Sequence, residues 1–186
     1  MIRLYHHLAD QLGEATDIIE YDETTARNPS HLSLIHIAIW DAASGNDLTI
    51  LHTLGMSEKY MNGADYLVES CWRIRGALSE DDKGCCSRFL ANLTEYPFMY
   101  DLKLDWWEHL VDPGKIPIFS GCKTLLIGPE LSEQPLSNFA PPDSEVKTLY
   151  IYPLTELETH VVSEHGREEF VEYIEENRLD LFSNRF

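Results

Sequence analysis

The stretch His52-Thr53-Leu54-Gly55-Met56-Ser57 closes a long apolar region, and its reading sets the fold. Upstream lie residues 32–39, LSLIHIAI, and residues 48–51, LTIL. Ala43-Ser44-Gly45-Asn46-Asp47 separates them and is turn chemistry. Two apolar, β-branched runs split by such a cluster predict a β-hairpin. The first run is apolar at successive positions, which predicts a central strand covered on both faces. Gly55 then supplies a permissive backbone where the second strand leaves the sheet, and Met56 is expected to plug the core.

Outward from the hairpin the pattern continues. Ile2, Leu4, Tyr5, Leu8 and Leu12 fit one face of a helix that Gly13 stops. Residues 14–31 are polar, with an Asn28-Pro29-Ser30 break, and read as a loop or an irregular edge strand. Residues 64–75, ADYLVESCWRIR, predict a third strand. Ser79 is an N-cap candidate with Glu80, Asp81 and Asp82 in the first turn, and Pro97 is expected to stop that helix. Residues 98–122 are aromatic and irregular. Residues 123–127 and 146–152 predict two more strands, joined by a long loop over 128–145 that holds four prolines. Thr155, with Glu158 three residues on, forms a capping box. A helix over 155–164 follows, then Gly166, then a last helix carrying Phe170, Val171 and Ile174. This order predicts an α+β fold, a mostly antiparallel mixed sheet packed with helices. No linker divides the chain, so residues 1–186 are expected to form one domain.

The chain has 186 residues, 44% hydrophobic and 25% charged, with a formal net charge of −18. Such a surface repels nucleic acid and anionic membranes and attracts a basic partner; charge of this size also serves solubility. No run is long and apolar enough to cross a bilayer, and Met1-Ile2-Arg3-Leu4-Tyr5 does not read as a signal peptide. A cytoplasmic location follows as an expectation. Cys71, Cys85, Cys86 and Cys122 show no C-x-x-C spacing and read as reduced thiols.

No phosphate loop, dinucleotide fingerprint, nucleophile elbow or zinc-protease motif occurs, so no catalytic, cofactor or metal residues are assigned. Three weaker constellations remain. His36 and His52, with Asp41, could form an acid/base pair across the hairpin. Asp105-Trp106-Trp107-Glu108-His109 mixes carboxylate, indole and imidazole, which could resemble a sugar site and would suit a small hydrolase; a loop anchored by buried indoles is the simpler reading, and an exposed aromatic binding patch comes second. His160 and His165 lie near Glu156 and Glu164, where solvated histidines are simpler than a metal. Residues 156–180 hold nine acidic and two basic residues, a local formal charge of −7. A solvated helix face accounts for such a run. Like charges at this density also cost the helix stability, which favours a positive partner. Glu168, Glu169, Glu172, Glu175 and Glu176 are therefore the candidate partner-binding residues.

The segment Thr53-Leu54-Gly55-Met56-Ser57 resembles the T-x-G-M-S signature of the suppressor-of-fused family. The order downstream is similar as well. A strand follows, then an acidic-start helix ending near Tyr96-Pro97, and a late strand runs into Pro153-Leu154-Thr155-Glu156-Leu157-Glu158. Gly166 matches a glycine between two closing helices, and Arg178 or Arg185 an arginine near the end. The resemblance covers roughly residues 32–186 and leaves 1–31 outside. It implies a non-catalytic protein-binding domain without cofactors. Gly55, Met56, Pro153 and Thr155 would then be fold residues. The resemblance spans the compact family domain alone, so the animal protein's restraint of a transcription factor through a C-terminal extension is not expected of this chain. Short bacterial members resemble immunity proteins that bind a cognate toxin, here a basic toxin domain. A regulatory scaffold that binds a peptide as an added strand is the other binding reading.

Overall fold

The computed structural model describes residues 1–22, 32–42, 47–131 and 145–185. The elements run α1 (Ile2–Leu12), β1 (Asp17–Asp22), β2 (Leu34–Trp40), β3 (Leu48–Leu54), β4 (Leu67–Arg75), α2 (Glu80–Met99), β5 (Glu108–Val111), β6 (Thr124–Gly128), β7 (Val146–Leu154) and α3 (Glu156–Asn177), with a 3₁₀ turn at Met56–Glu58 after β3. The seven strands form one sheet in the order β1-β2-β3-β4-β7-β6-β5. Among the described residues every pairing between these strands is antiparallel except β4 with β7. The fold is therefore the expected α+β arrangement.

Helices and loops cover both faces of the sheet. On one face Ile35, Ile37 and Ile39 of β2 and Trp72 and Ile74 of β4 pack with Leu90 and Leu93 of α2 and with Phe119. On the other, Ala38 and Trp40 pack with Leu4 and Leu8 of α1, Phe170 of α3 and Phe182. β2 thus reads apolar at consecutive positions because alternate side chains enter different cores. Ile37, with no exposed surface, sits at its centre.

Several expectations change. Residues 17–22 form a regular edge strand paired along its length with β2. β5 lies inside the region expected to be irregular; its Trp107-Glu108-His109 lead-in carries no clean alternation, and the strand is set by pairing with β6. Pro97 does not stop α2, which continues to Met99. A proline in the last turn forfeits only one helical bond, that to Leu93, and the Tyr100 amide still donates to the Tyr96 carbonyl at 3.2 Å. The expected break at 28–30, turn residues 43–46 and loop residues 132–144 lie outside the described residues. At Gly166, φ is 85°, in the left-handed region, so the closing helix is two helices across a kink, as its glycine implies. All four cysteines are free thiols, three buried and Cys85 exposed.

Candidate partner-binding site and signature loop

The signature wraps a buried carboxylate. Glu69 of β4 has no exposed surface. Its Oε2 accepts from the Thr53 hydroxyl at 2.6 Å. Its Oε1 accepts from the Gly55 amide at 2.9 Å, the Ser57 amide at 3.1 Å and the Ser57 hydroxyl at 2.6 Å. Burial pushes the Glu69 carboxyl up from its ordinary value, against the pull of these four donors. Gly55 adopts a φ of 127°, and a Cβ there would lie 2.6 Å from the Leu34 carbonyl oxygen. Met56 is fully buried, and the Ser70 hydroxyl donates to its sulfur at 3.7 Å. The T-x-G-M-S spacing thus supplies two hydroxyls, two amides, a tight backbone and a core plug. Glu69 was missed in the sequence, where its signal is a lone carboxylate within the otherwise buried run 68–74.

A second junction joins β7 to α3. The Thr155 side chain accepts from the Glu158 amide while Glu158 accepts from the Thr155 amide, a complete capping box. Glu158 is buried, not part of the solvated acidic run, because Arg185 donates to it at 2.7 Å. Arg185 also donates to the Pro153 carbonyl at 2.5 Å and the Asp180 carbonyl at 2.7 Å. Of the two terminal arginines left open above, Arg185 is the one bound into the fold; Arg178 is an exposed left-handed cap of α3.

α3 presents the candidate acidic residues outward. Glu168, Glu169, Glu172, Glu175 and Glu176 are all exposed, while Phe170 is buried and Val171 and Ile174 are half-buried. Arg167 approaches Glu168 at 3.7 Å, an exposed pair of little energetic weight. His160 and His165 meet edge to face near the kink, and among the described residues no group of three ligating side chains could hold a metal.

The other constellations come apart. His36 lies opposite Leu54 and His52 opposite Ala38, so the two histidines are out of register. His36 meets Glu20 at 3.3 Å, His52 meets the Thr53 carbonyl at 2.7 Å, and Asp41 pairs with Lys83 at 2.8 Å. Trp106 is 42% exposed and donates to the Thr148 carbonyl at 3.2 Å, which corrects the expectation of a buried indole there, whereas Trp107 is half-buried and packs against the core. Asp105 pairs with Lys147 and, at 3.4 Å, with Lys103. Burial would raise its carboxyl, but the Lys147 ammonium, the Tyr66 hydroxyl and the Trp106 amide together hold it well below the usual range. It is fixed as an anion. Burial in turn lowers His109.

A further buried ion pair lies on β4, where Arg73 donates to Glu130 at 2.5 Å and stacks 4.8 Å from the Tyr150 ring. The Tyr152 hydroxyl donates to the Pro129 carbonyl at 2.8 Å and accepts from the Leu131 amide at 2.9 Å, so both tyrosines tie down the chain leaving β6.

The family profile of the suppressor of fused protein (SUFU) matches residues 28–185. The chain belongs to the SUFU family. A crystal structure described as a SUFU homolog from Neisseria gonorrhoeae superposes with a TM-score of 0.74 at 14% identity, covering 98% of this chain and 92% of that one. A chain of the Sufu–Fu complex superposes with a TM-score of 0.62 at 12% identity, covering 97% and 84%. Both likenesses establish the shared fold. They take in α1 and β1, outside the family match, which this chain builds into the same sheet and core. Among curated proteins, none matches the sequence. Among the described residues no helix is long and apolar enough to cross a membrane.

Proposed function

We propose that this SUFU-family chain is a non-catalytic protein-binding domain that acts in the cytoplasm as an immunity protein, occluding a basic toxin domain. The observation that carries the reading is the outward face of α3, with five exposed glutamates on a helix whose apolar residues already serve the core. Family membership supports a binding role, since a chain of the same fold is found in complex with Fu. The fixing of Asp105 by two lysines weighs against the hydrolase alternative. The exposed edge strand β1, with Ile18 44% exposed, favours the peptide-scaffold reading as the second choice.

The test is the association rate with a toxin domain encoded beside this chain, measured against ionic strength. The wild type is compared with a Glu172→Gln, Glu175→Gln, Glu176→Gln variant. Slower association of the variant at low salt, converging at high salt, supports the reading. Equal rates at every salt concentration remove α3 from the interface. Failure to protect cells from the toxin domain overturns the immunity role, and recovery of a short peptide motif in place of a toxin favours the scaffold.

A further inference from the structure

β1 ends the sheet. β2 pairs with it along its length, and among the described residues no strand pairs with its other side. The opposite edge, β5, has four residues and one acid, Glu108. β1 has six residues and three acids, Asp17, Glu20 and Asp22. Between Arg3 and Arg27 the sequence holds no lysine or arginine. An edge of this length is a template for one more strand.

The two faces of β1 differ. Ile19 and Tyr21 pack against the core under α2 and stay half-buried, and the Tyr21 hydroxyl meets Ser87 of α2 at 2.7 Å. Ile18, Glu20 and Asp22 alternate onto the other face. There Ile18 is 44% exposed, and the Glu20 side chain is 61% exposed although it meets His36 of β2 at 3.3 Å. At the start of the strand the exposed Asp17 carboxylate accepts from the Ile18 amide at 2.8 Å. An added strand therefore meets apolar surface on the α2 side and carboxylates on the other.

A second copy of the chain does not suit this edge. Full-length antiparallel pairing of β1 with itself sets Asp17 opposite Asp22 at both ends and Ile19 opposite Glu20. Like charges directly opposite destabilise such a pairing, and two chains each of formal net charge −18 repel on approach. The same charges attract a cationic strand.

We propose that β1 docks an extended cationic segment of a partner protein as an eighth strand, a docking that rests on the peptide-scaffold reading and names its occupant. Apolar side chains of the segment lie beside Ile19 and Tyr21, and its lysines or arginines beside Glu20 and Asp22. Main-chain hydrogen bonds to β1 hold the segment, and its alternation of apolar and basic residues selects it.

The probe is a capped synthetic peptide of about six residues that alternates valine and lysine. A control of the same sequence is N-methylated at every residue, which keeps the charge and removes the ladder donors. Amide exchange along Asp17–Asp22 is followed by NMR with each peptide added. The unmodified peptide is expected to slow exchange in β1, and the N-methylated one to leave it unchanged. An Asp17→Lys, Glu20→Lys variant is expected to bind the unmodified peptide roughly tenfold more weakly and to prefer a valine–glutamate peptide. Equal effects of the two peptides on β1, binding confined to α3, or unchanged affinity in the charge-reversed variant overturns the proposal. Protection of β1 in the free chain that grows with protein concentration assigns the edge to a second copy and overturns it too. If the variant does not fold, the two peptides on the wild type decide. No toxin domain enters this test, so its failure leaves the salt dependence of α3 standing.

Discussion

Arg185 reaches across the end of the molecule to Glu158, 2.7 Å away, at the residue that caps α3. The chain terminus and the first turn of the closing helix are thereby one polar unit, with the Pro153 carbonyl as its third member. Removing Arg185 strands a buried carboxylate. Arg185→Ala is expected to cost about 3–5 kcal/mol in denaturant unfolding. Arg185→Lys should recover only part, since one ammonium cannot meet Glu158, Pro153 and Asp180 with the same fork. Full stability in the alanine variant would show that Glu158 finds its donors elsewhere.

Gly55→Ala places a Cβ against the Leu34 carbonyl, at a φ that alanine resists. The expected loss is about 2–4 kcal/mol, combining backbone strain with displacement of β2. A urea midpoint shift of wild-type slope measures it.

His52 shapes the acid side of the stability curve. Burial, with Arg73 adding to it, lowers the folded-state value from 6.5 to about 4, against the Thr53 hydrogen bond. The unfolded chain takes its proton first, so stability is complete above the ordinary value and falls as pH drops through that window, by up to about 3 kcal/mol. Asp180, whose hydrogen bonds from Arg75, Ser183 and the Phe182 amide outweigh its burial and keep it low, bends the curve the same way. Unfolding free energies of His52→Gln against pH should show a flatter acid limb, and an unchanged limb would assign the loss to the carboxylates.

Ile37→Ala removes a fully buried side chain from the centre of β2, with an expected cost of about 2–5 kcal/mol. Neutralising Glu172, Glu175 and Glu176 is expected to leave the thermal midpoint unchanged or raise it, because exposed like charges contribute little to folding. Calorimetry of the two variants side by side separates a core position from a surface one.

The apolar runs and caps were legible because they are local. Ser79 and Thr155 cap α2 and α3 as their spacing predicts, and β2, β3, β4, β6 and β7 follow their hydrophobic patterns. What the sequence hid is pairing at a distance. β5 exists because β6 lies beside it, and His36 misses His52 because the hairpin register is set two residues away. Glu69 and Arg73 read as ordinary charges, and Glu158 as no more than half of a capping box, until partners elsewhere in the chain enclose them. The acidic face of α3 was legible for the opposite reason, since exposed residues need no partner to be placed.

The parallel pairing of β4 with β7 divides the sheet by sequence. α1, the strands β1–β4 and α2 come from one continuous part of the chain, and β5–β7 with α3 from the next. Within each part the strand pairs are antiparallel neighbours in sequence, which close quickly. The seam that joins them, Leu67 beside Val146, needs a far longer chain closure. The rate-limiting event in refolding should therefore be the docking of two preformed meanders along β4 and β7. A backbone cut in the exposed turn at residues 101–102 should yield two fragments that reassemble when mixed, at a concentration-dependent rate.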